Sequence, residues 1–265
     1  MAAKKLDYLF HYTTAEGLIG IVEHHELWGS NIFYMNDRSE FFQGLRVITD
    51  YLESKEVSKR HGTTAHELAE LLKNLGQHPV GGTFFVCSFS EDPDELGQWR
   101  AYCSHGGYAI GFPFASIEPL RADKSTWLER CIYSKDKQLA IVENHLNTTG
   151  QKSTERPIAL VSEALRFKHA AFLNEKEWRL IHAVRDCNDD LFTRYCFRPY
   201  NGRIVPYAKF RLKDDATWRK VRVVVGPCPE TEMKDAVAAV RSLLGYGDSD
   251  AYDKVVPSVI PYRHW

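Results

Sequence analysis

Hydrophobic positions along the chain switch between two periods. Leu6 to Phe10 reads as a short strand. Thr13 with Glu16 three residues on forms a capping box, opening a helix striped by Leu18, Ile21 and Val22. Trp28 to Tyr34 is strand-like. Asp37 and Glu40 form a second cap ahead of Phe41, Leu45, Ile48 and Leu52 on a long helix. Thr64 and Glu67 form a third ahead of Leu68, Leu71, Leu72 and Leu75, with Gly76 as the stop. The middle moves to strand periodicity. Thr83 to Phe89 is a β-type run. Asp92, Pro93 and Glu95 open a helix carrying Leu96, Trp99 and Tyr102, and Gly106 and Gly107 end it before a strand at Tyr108 to Phe112. Trp127 to Tyr133 is a further strand. Gln138 to His145 and Thr154 to Phe172 read as helices, joined by a polar loop at Asn147 to Ser153. Strands at Glu177 to Val184, Arg203 to Phe210 and Val221 to Val225, a break at Gly226-Pro227, a helix at Met233 to Leu244 and a strand at Lys254 to Ile260 complete the pattern. Strands and helices interleave without regular βαβ spacing, which predicts an α+β class rather than a doubly wound sheet. The apolar phase of the strands predicts burial of Trp28, Phe85, Trp178 and Leu180.

Composition narrows the field of functions. The 265 residues hold 34 Lys+Arg against 35 Asp+Glu, so nothing global favours a polyanion partner. No apolar run approaches the roughly 20 residues of a membrane span, and the N-terminal stretch is too short and polar for a signal peptide. The expectation is a cytoplasmic protein with no membrane partner. The six cysteines are scattered without a CxxC pair and read as free thiols, and no metal is expected. One domain over 1–265, with a helical insertion near 134–173, accommodates the whole pattern.

P-loop, GxGxxG, HExxH and GxSxG signatures are absent. Four separated pieces carry the candidate chemistry. His11-Tyr12-Thr13-Thr14 sits where a strand meets a helix, a place for ribose or phosphate contacts; the simpler reading makes Thr13 a cap and His11 a satisfied strand end. Asn36-Asp37 with Glu40 suits a site rim, although a helix start explains Asp37 and Glu40 without one. Ser88-Phe89-Ser90 leads to Gln98, Trp99 and Tyr102, hydroxyls and rings that can meet a planar ligand; equally, Asp92 is a cap and Trp99 a core residue. Glu175 and Glu177 share one side of a strand start and Trp178 and Leu180 the other, so two carboxylates converge at a sheet edge, unless this is a solvated turn.

In this order the pieces resemble a bacterial family carried as a domain of unknown function. Its signature is matched by His11 to Leu18, Leu27 to Glu40, Phe89 to Tyr102, Glu177 to Arg179, Gly226-Pro227 and Pro261-Tyr262-Arg263. The arrangement also looks like an ADP-ribosyltransferase, and the helix after His11 (Gly17, Leu18, Ile21) resembles the opening of toxins that modify DNA bases. That resemblance implies a split antiparallel sheet holding NAD as substrate. Glu177 would be the catalytic carboxylate and Glu175 would serve the acceptor. His11 would anchor the ribose, with Thr13, Asn36, Ser88 and Ser90 around the pocket and Trp99 or Tyr102 stacking on a ring. The central motif lacks a Thr between its serines, and a helical insertion separates Ser90 from Glu177. The implied activity is transfer of ADP-ribose to DNA, RNA or protein, or NAD hydrolysis, in a toxin or antiphage-defence effector with an antitoxin or regulatory partner. The transferase reading requires His11 and Glu177 to line one cleft; placement on opposite faces removes it. The alternative is a non-enzymatic module that senses nucleotides or nucleic acid, with aromatics for stacking. A third reading, a metal-dependent hydrolase or nuclease on Asp37, Glu40 and Glu177, is disfavoured because Asp37 and Glu40 already have a capping role.

Overall fold

A computed structural model describes residues 6–35, 38–77, 84–103, 106–122, 125–148, 155–184, 196–200, 202–212, 215–245 and 253–261. Asn36, Asp37, Tyr262 and Arg263, all named above, lie outside them, as does Cys187 among the six cysteines. The remaining five cysteines are free thiols.

Ten strands form one sheet: β1 (Tyr8–Thr13), β2 (Glu26–Asn31), β3 (Phe84–Ser90), β4 (Tyr108–Pro113), β5 (Thr126–Arg130), β6 (Glu177–Ala183), β7 (Cys196–Tyr200), β8 (Arg203–Arg211), β9 (Arg222–Val225) and β10 (Val255–Pro257). The main path runs β10-β9-β4-β1-β3-β2-β8-β7, and β6 lies between β3 and β5. Every pair is antiparallel except β9 with β10. The expected α+β class therefore holds.

The sheet divides at β3. One edge is fully paired with β6, from Phe84 opposite Ala183 to Ser90 opposite Glu177. The other edge is shared. β1 meets it only at Phe10 opposite Ser90, and β2 only at Val86 and Phe85. Two groups of strands thus leave one edge of β3 side by side.

Helices cover both faces. Over β3 and β6 lie α2 (Arg38–Leu52), α3 (Lys55–His61), α4 (Thr63–Gln77), α7 (Lys135–Asn147) and α8 (Glu155–Ala164), packed through Phe41, Leu45, Ile48, Leu72, Val142 and Leu160 onto Val86 and Ile181. On the same face α5 (Leu96–Tyr102) lays Trp99 against Phe10 and Tyr12. On the opposite face α1 (Ala15–His24), α6 (Phe114–Ile117) and α10 (Glu230–Leu243) close a core of Leu9, Cys87, Phe89, Ile110, Leu180 and Val223. A short helix, α9 (Asp215–Trp218), precedes β9. Gly44 lets α2 and α8 touch: a Cβ there would stand 2.2 Å from the Ala164 carbonyl oxygen.

Several local expectations are corrected. Thr14, not Thr13, caps α1 by accepting from the Gly17 N–H, because β1 runs through Thr13 and the chain turns one residue later. Thr64 lies inside α4 rather than at its cap, and α4 continues past Gly76 to Gln77. Glu95, not Asp92, caps α5 through the Gln98 N–H. The helix expected over Thr154 to Phe172 ends at Ala164, because Phe167 then pairs with Ile132 in a parallel bridge. Of the four residues expected in the core, Phe85 and Leu180 are buried. Trp28 and Trp178 are only half-buried, Trp28 beside Tyr207 and Trp178 beside Phe114.

Candidate functional site

Alternation along the strands decides which candidates meet. Phe10, Ser90 and Glu177 lie in one row across β1, β3 and β6, so they share a face. His11 is the next residue along β1 and points the other way, towards Cys87 and Phe89. His11 and Glu177 are therefore on opposite faces, and the expected convergence fails. The physical reason is period two: Phe10 takes the face that His11 would need. His11 has a structural task instead. Its Nδ1 lies 2.9 Å from the Ser88 carbonyl oxygen, where β1 and β3 have stopped pairing. Burial pushes its imidazole below the ordinary pKa, against the pull of that carbonyl.

Other candidates turn out to be occupied. Trp99 is 1% exposed, edge-on to Tyr12, with its indole N–H donated to Asp94, so it presents no ring to a ligand. Thr13 ends β1, and its carbonyl accepts from the Cys103 thiol. Ser90 donates to the Glu175 carbonyl at 2.7 Å and accepts from the Asp92 N–H at 2.9 Å, tying the two motif loops together. Tyr102 is 39% exposed at the end of α5.

The carboxylates do converge, around a residue that the pattern did not single out. Lys168 is 4% exposed, and its ammonium meets Glu175 at 2.6 Å, Glu177 at 2.7 Å and Glu40 at 3.3 Å. Arg179 closes the cluster. Its Nε donates to Glu177 at 2.7 Å, one Nη to Glu40 at 2.8 Å and the other to the Leu165 carbonyl at 2.6 Å. The Tyr133 hydroxyl accepts from the Glu177 backbone N–H. The sequence placed Arg179 on the same phase as Glu177, two residues on. It gave no signal for Lys168, which arrives through the Ile132–Phe167 bridge.

The two glutamates of the Glu-x-Glu are displaced in opposite directions. Burial raises Glu175, and the nearby Lys168 charge only partly opposes it. Burial would raise Glu177 too, but the Arg179 and Lys168 charges outweigh it and hold that carboxyl at about 2. The same carboxylates keep Lys168 firmly protonated despite burial. Beside the cluster a pocket of about 270 Å³ is bounded by Gln43, Tyr133, Lys135, Gln138, Lys168 and His169, among others. No group of acidic, His or Cys side chains suited to a metal ion occurs among the described residues.

Ser88 lies between Val86 and Ser90 on β3, opposite Arg179 of β6, and its buried Oγ makes no hydrogen bond among the described residues.

Residues 98–180 match a family model described as Protein of unknown function (DUF2971). That supports the expected domain-of-unknown-function family, and the matched stretch contains Lys168, Glu175, Glu177 and Arg179. No curated protein and no solved structure matches the chain. No described helix is long and apolar enough to cross a membrane.

Proposed function

We propose that the chain is an enzyme that hydrolyses the glycosidic bond of a nucleotide, with NAD the first substrate to test; the opposite facing of His11 and Glu177 removes the transferase reading. The working face is the one carrying Ser88, Ser90, Glu175 and Glu177, and His11 has no part in the chemistry. The observation that carries this reading is the meeting of Glu175 and Glu177 on one ammonium, with their pKa values driven apart. Carboxylates in unlike environments divide acid–base from electrostatic work. Glu177 remains an anion and supports positive charge developing on the ribose as the bond to nicotinamide breaks and its electron pair leaves with that ring. Glu175 takes the proton of the attacking water. The strands parting beside β3 support the same reading by opening a place for an extended ligand.

A nucleotide-sensing module is the second reading, and one observation favours it. Both Glu177 oxygens are already bonded, to Arg179 and Lys168, as in a purely structural ion cluster.

NAD loss measured with DNA, RNA and protein acceptors present separates the two. The enzyme reading expects turnover by the wild type, undiminished turnover in His11→Ala, and a fall of roughly 100- to 1,000-fold in Glu177→Gln. Glu175→Gln should slow hydrolysis as well, because the attacking water then loses its base. Turnover that survives Glu177→Gln removes that residue from the mechanism. A wild type without turnover leaves the sensing module.

A further inference from the structure

At the other side of the parted strands, Arg198 of β7 forms no ion pair among the described residues, and its Nε is buried there without a hydrogen-bond partner. Its Nη2 donates to the Ser30 hydroxyl at 2.8 Å. Three rings stand around it, Trp28 and Tyr200 at 5.8 Å and Tyr207 at 6.0 Å from the guanidinium carbon. The one carboxylate that register places on this side of β2, Glu26, is already taken by Lys209 and Arg211.

Register puts these groups on the Glu177 face. Ser30 is opposite both Val86 of β3 and Tyr207 of β8, and Cys196 of β7 is opposite Tyr207. Arg198, two residues from Cys196, therefore points to the same side as Ser30, Ser88 and Glu177. Ser30 and Ser88 stand on neighbouring strands, beside the place where β1 and β2 part. A half-buried guanidinium bonded to Ser30, flat rings around it and an unpartnered hydroxyl on the neighbouring strand, two residues along, thus share one face, with no acid paired to the charge among the described residues. A buried donor left unpaired is costly, and the planar guanidinium fork matches a phosphate.

We infer that Arg198, with Ser30 and Ser88, holds a phosphate group of a nucleotide, its planar part lying against the rings of Trp28, Tyr200 or Tyr207. Tyr200 is 41% exposed and forms the outer wall of this subsite. This assignment shares the face of the proposed enzyme, but the phosphate contact stands without the chemistry.

The test is calorimetric binding of ADP to the full chain, with adenosine and inorganic pyrophosphate as companion probes. ADP and pyrophosphate should bind and adenosine should bind far more weakly. Arg198→Met should weaken ADP by about tenfold or more, as expected for a lost charge-assisted hydrogen bond. Arg198→Lys, which keeps the charge but not the fork, and Ser88→Ala should each fall in between. Circular dichroism and melting temperature of each variant establish folding, and Ser88→Ala carries the test if both Arg198 variants unfold. ADP binding that depends on Arg198 in a protein without NAD turnover keeps this assignment and removes the enzyme. ADP affinity unchanged in folded Arg198→Met, adenosine as tight as ADP, or no ADP binding by the wild type overturns it.

Discussion

The two faces of β3 and β6 are built from the same strands and hold opposite chemistry. On one, Cys87, Phe89 and Leu180 sit in an aliphatic and aromatic core, and the His11 imidazole there is held below its ordinary pKa. On the other, Glu177 and Arg179 face a second layer of helices, and Glu40, Lys168 and Glu175 join them under cover. The difference shows that a buried polar group survives only where its partners arrive with it. His11 finds a backbone carbonyl, and Glu177 finds two cations. One step along a strand separates these outcomes, so closeness in sequence to a motif is a poor guide to membership of a site.

The comparison breaks most visibly at Arg179. Arg179→Met leaves Glu177 and Glu40 buried with one cation fewer and should cost about 3–5 kcal/mol in urea denaturation. Adding Glu177→Gln should return part of that loss, because the stranded charge goes with it. A double variant no more stable than Arg179→Met would mean that the cluster contributes by packing alone.

Phe85→Ala should cost a similar amount, about 3–5 kcal/mol, since the ring is 1% exposed. A loss under about 1 kcal/mol, well below that range, would show that the site collapses around the missing ring.

Acid distinguishes the two kinds of damage. Glu177 drops from the ordinary 4.5 to about 2 on folding, so its stabilisation is complete above about pH 4.5 and is lost as pH falls through about 2. Urea midpoints between pH 6 and pH 2 should fall steeply in the wild type and in Phe85→Ala. They should fall less in Glu177→Gln, and equal slopes would place the acid-sensitive group elsewhere.

How much of this was legible in the sequence follows from what each feature needs. Strands with clear alternation, such as Tyr108 to Phe112 or Glu177 to Val184, were readable because local pattern alone forms them. β7 was missed: Cys196 to Tyr200 carries an Arg and a Pro and is held by pairing with β8 rather than by its own periodicity. The Glu175–Glu177 pair was readable from its spacing. Lys168 was not, because the non-local bridge of Phe167 to Ile132 brings it in. The facing of His11 depended on register with β3, set by the single pairing of Phe10 with Ser90. No single-strand pattern contains that information.

The smallest expected effect tests that register directly. His11→Phe keeps an aromatic ring beside Phe89 but removes the contact with the Ser88 carbonyl. One hydrogen bond of this kind is worth about 1 kcal/mol net, and the apolar surroundings accept the new ring, so the loss should be at most about that. The sign with pH is also fixed. A folded-state pKa below 6.5 means that the unfolded chain binds the proton more readily, so His11 contributes stability above pH 6.5 that is lost as pH falls below it. His11→Phe should therefore flatten the stability profile between about pH 7 and pH 5, while Glu177→Gln leaves that window alone and acts lower. A profile unchanged by His11→Phe would mean that the imidazole is solvated in the folded protein.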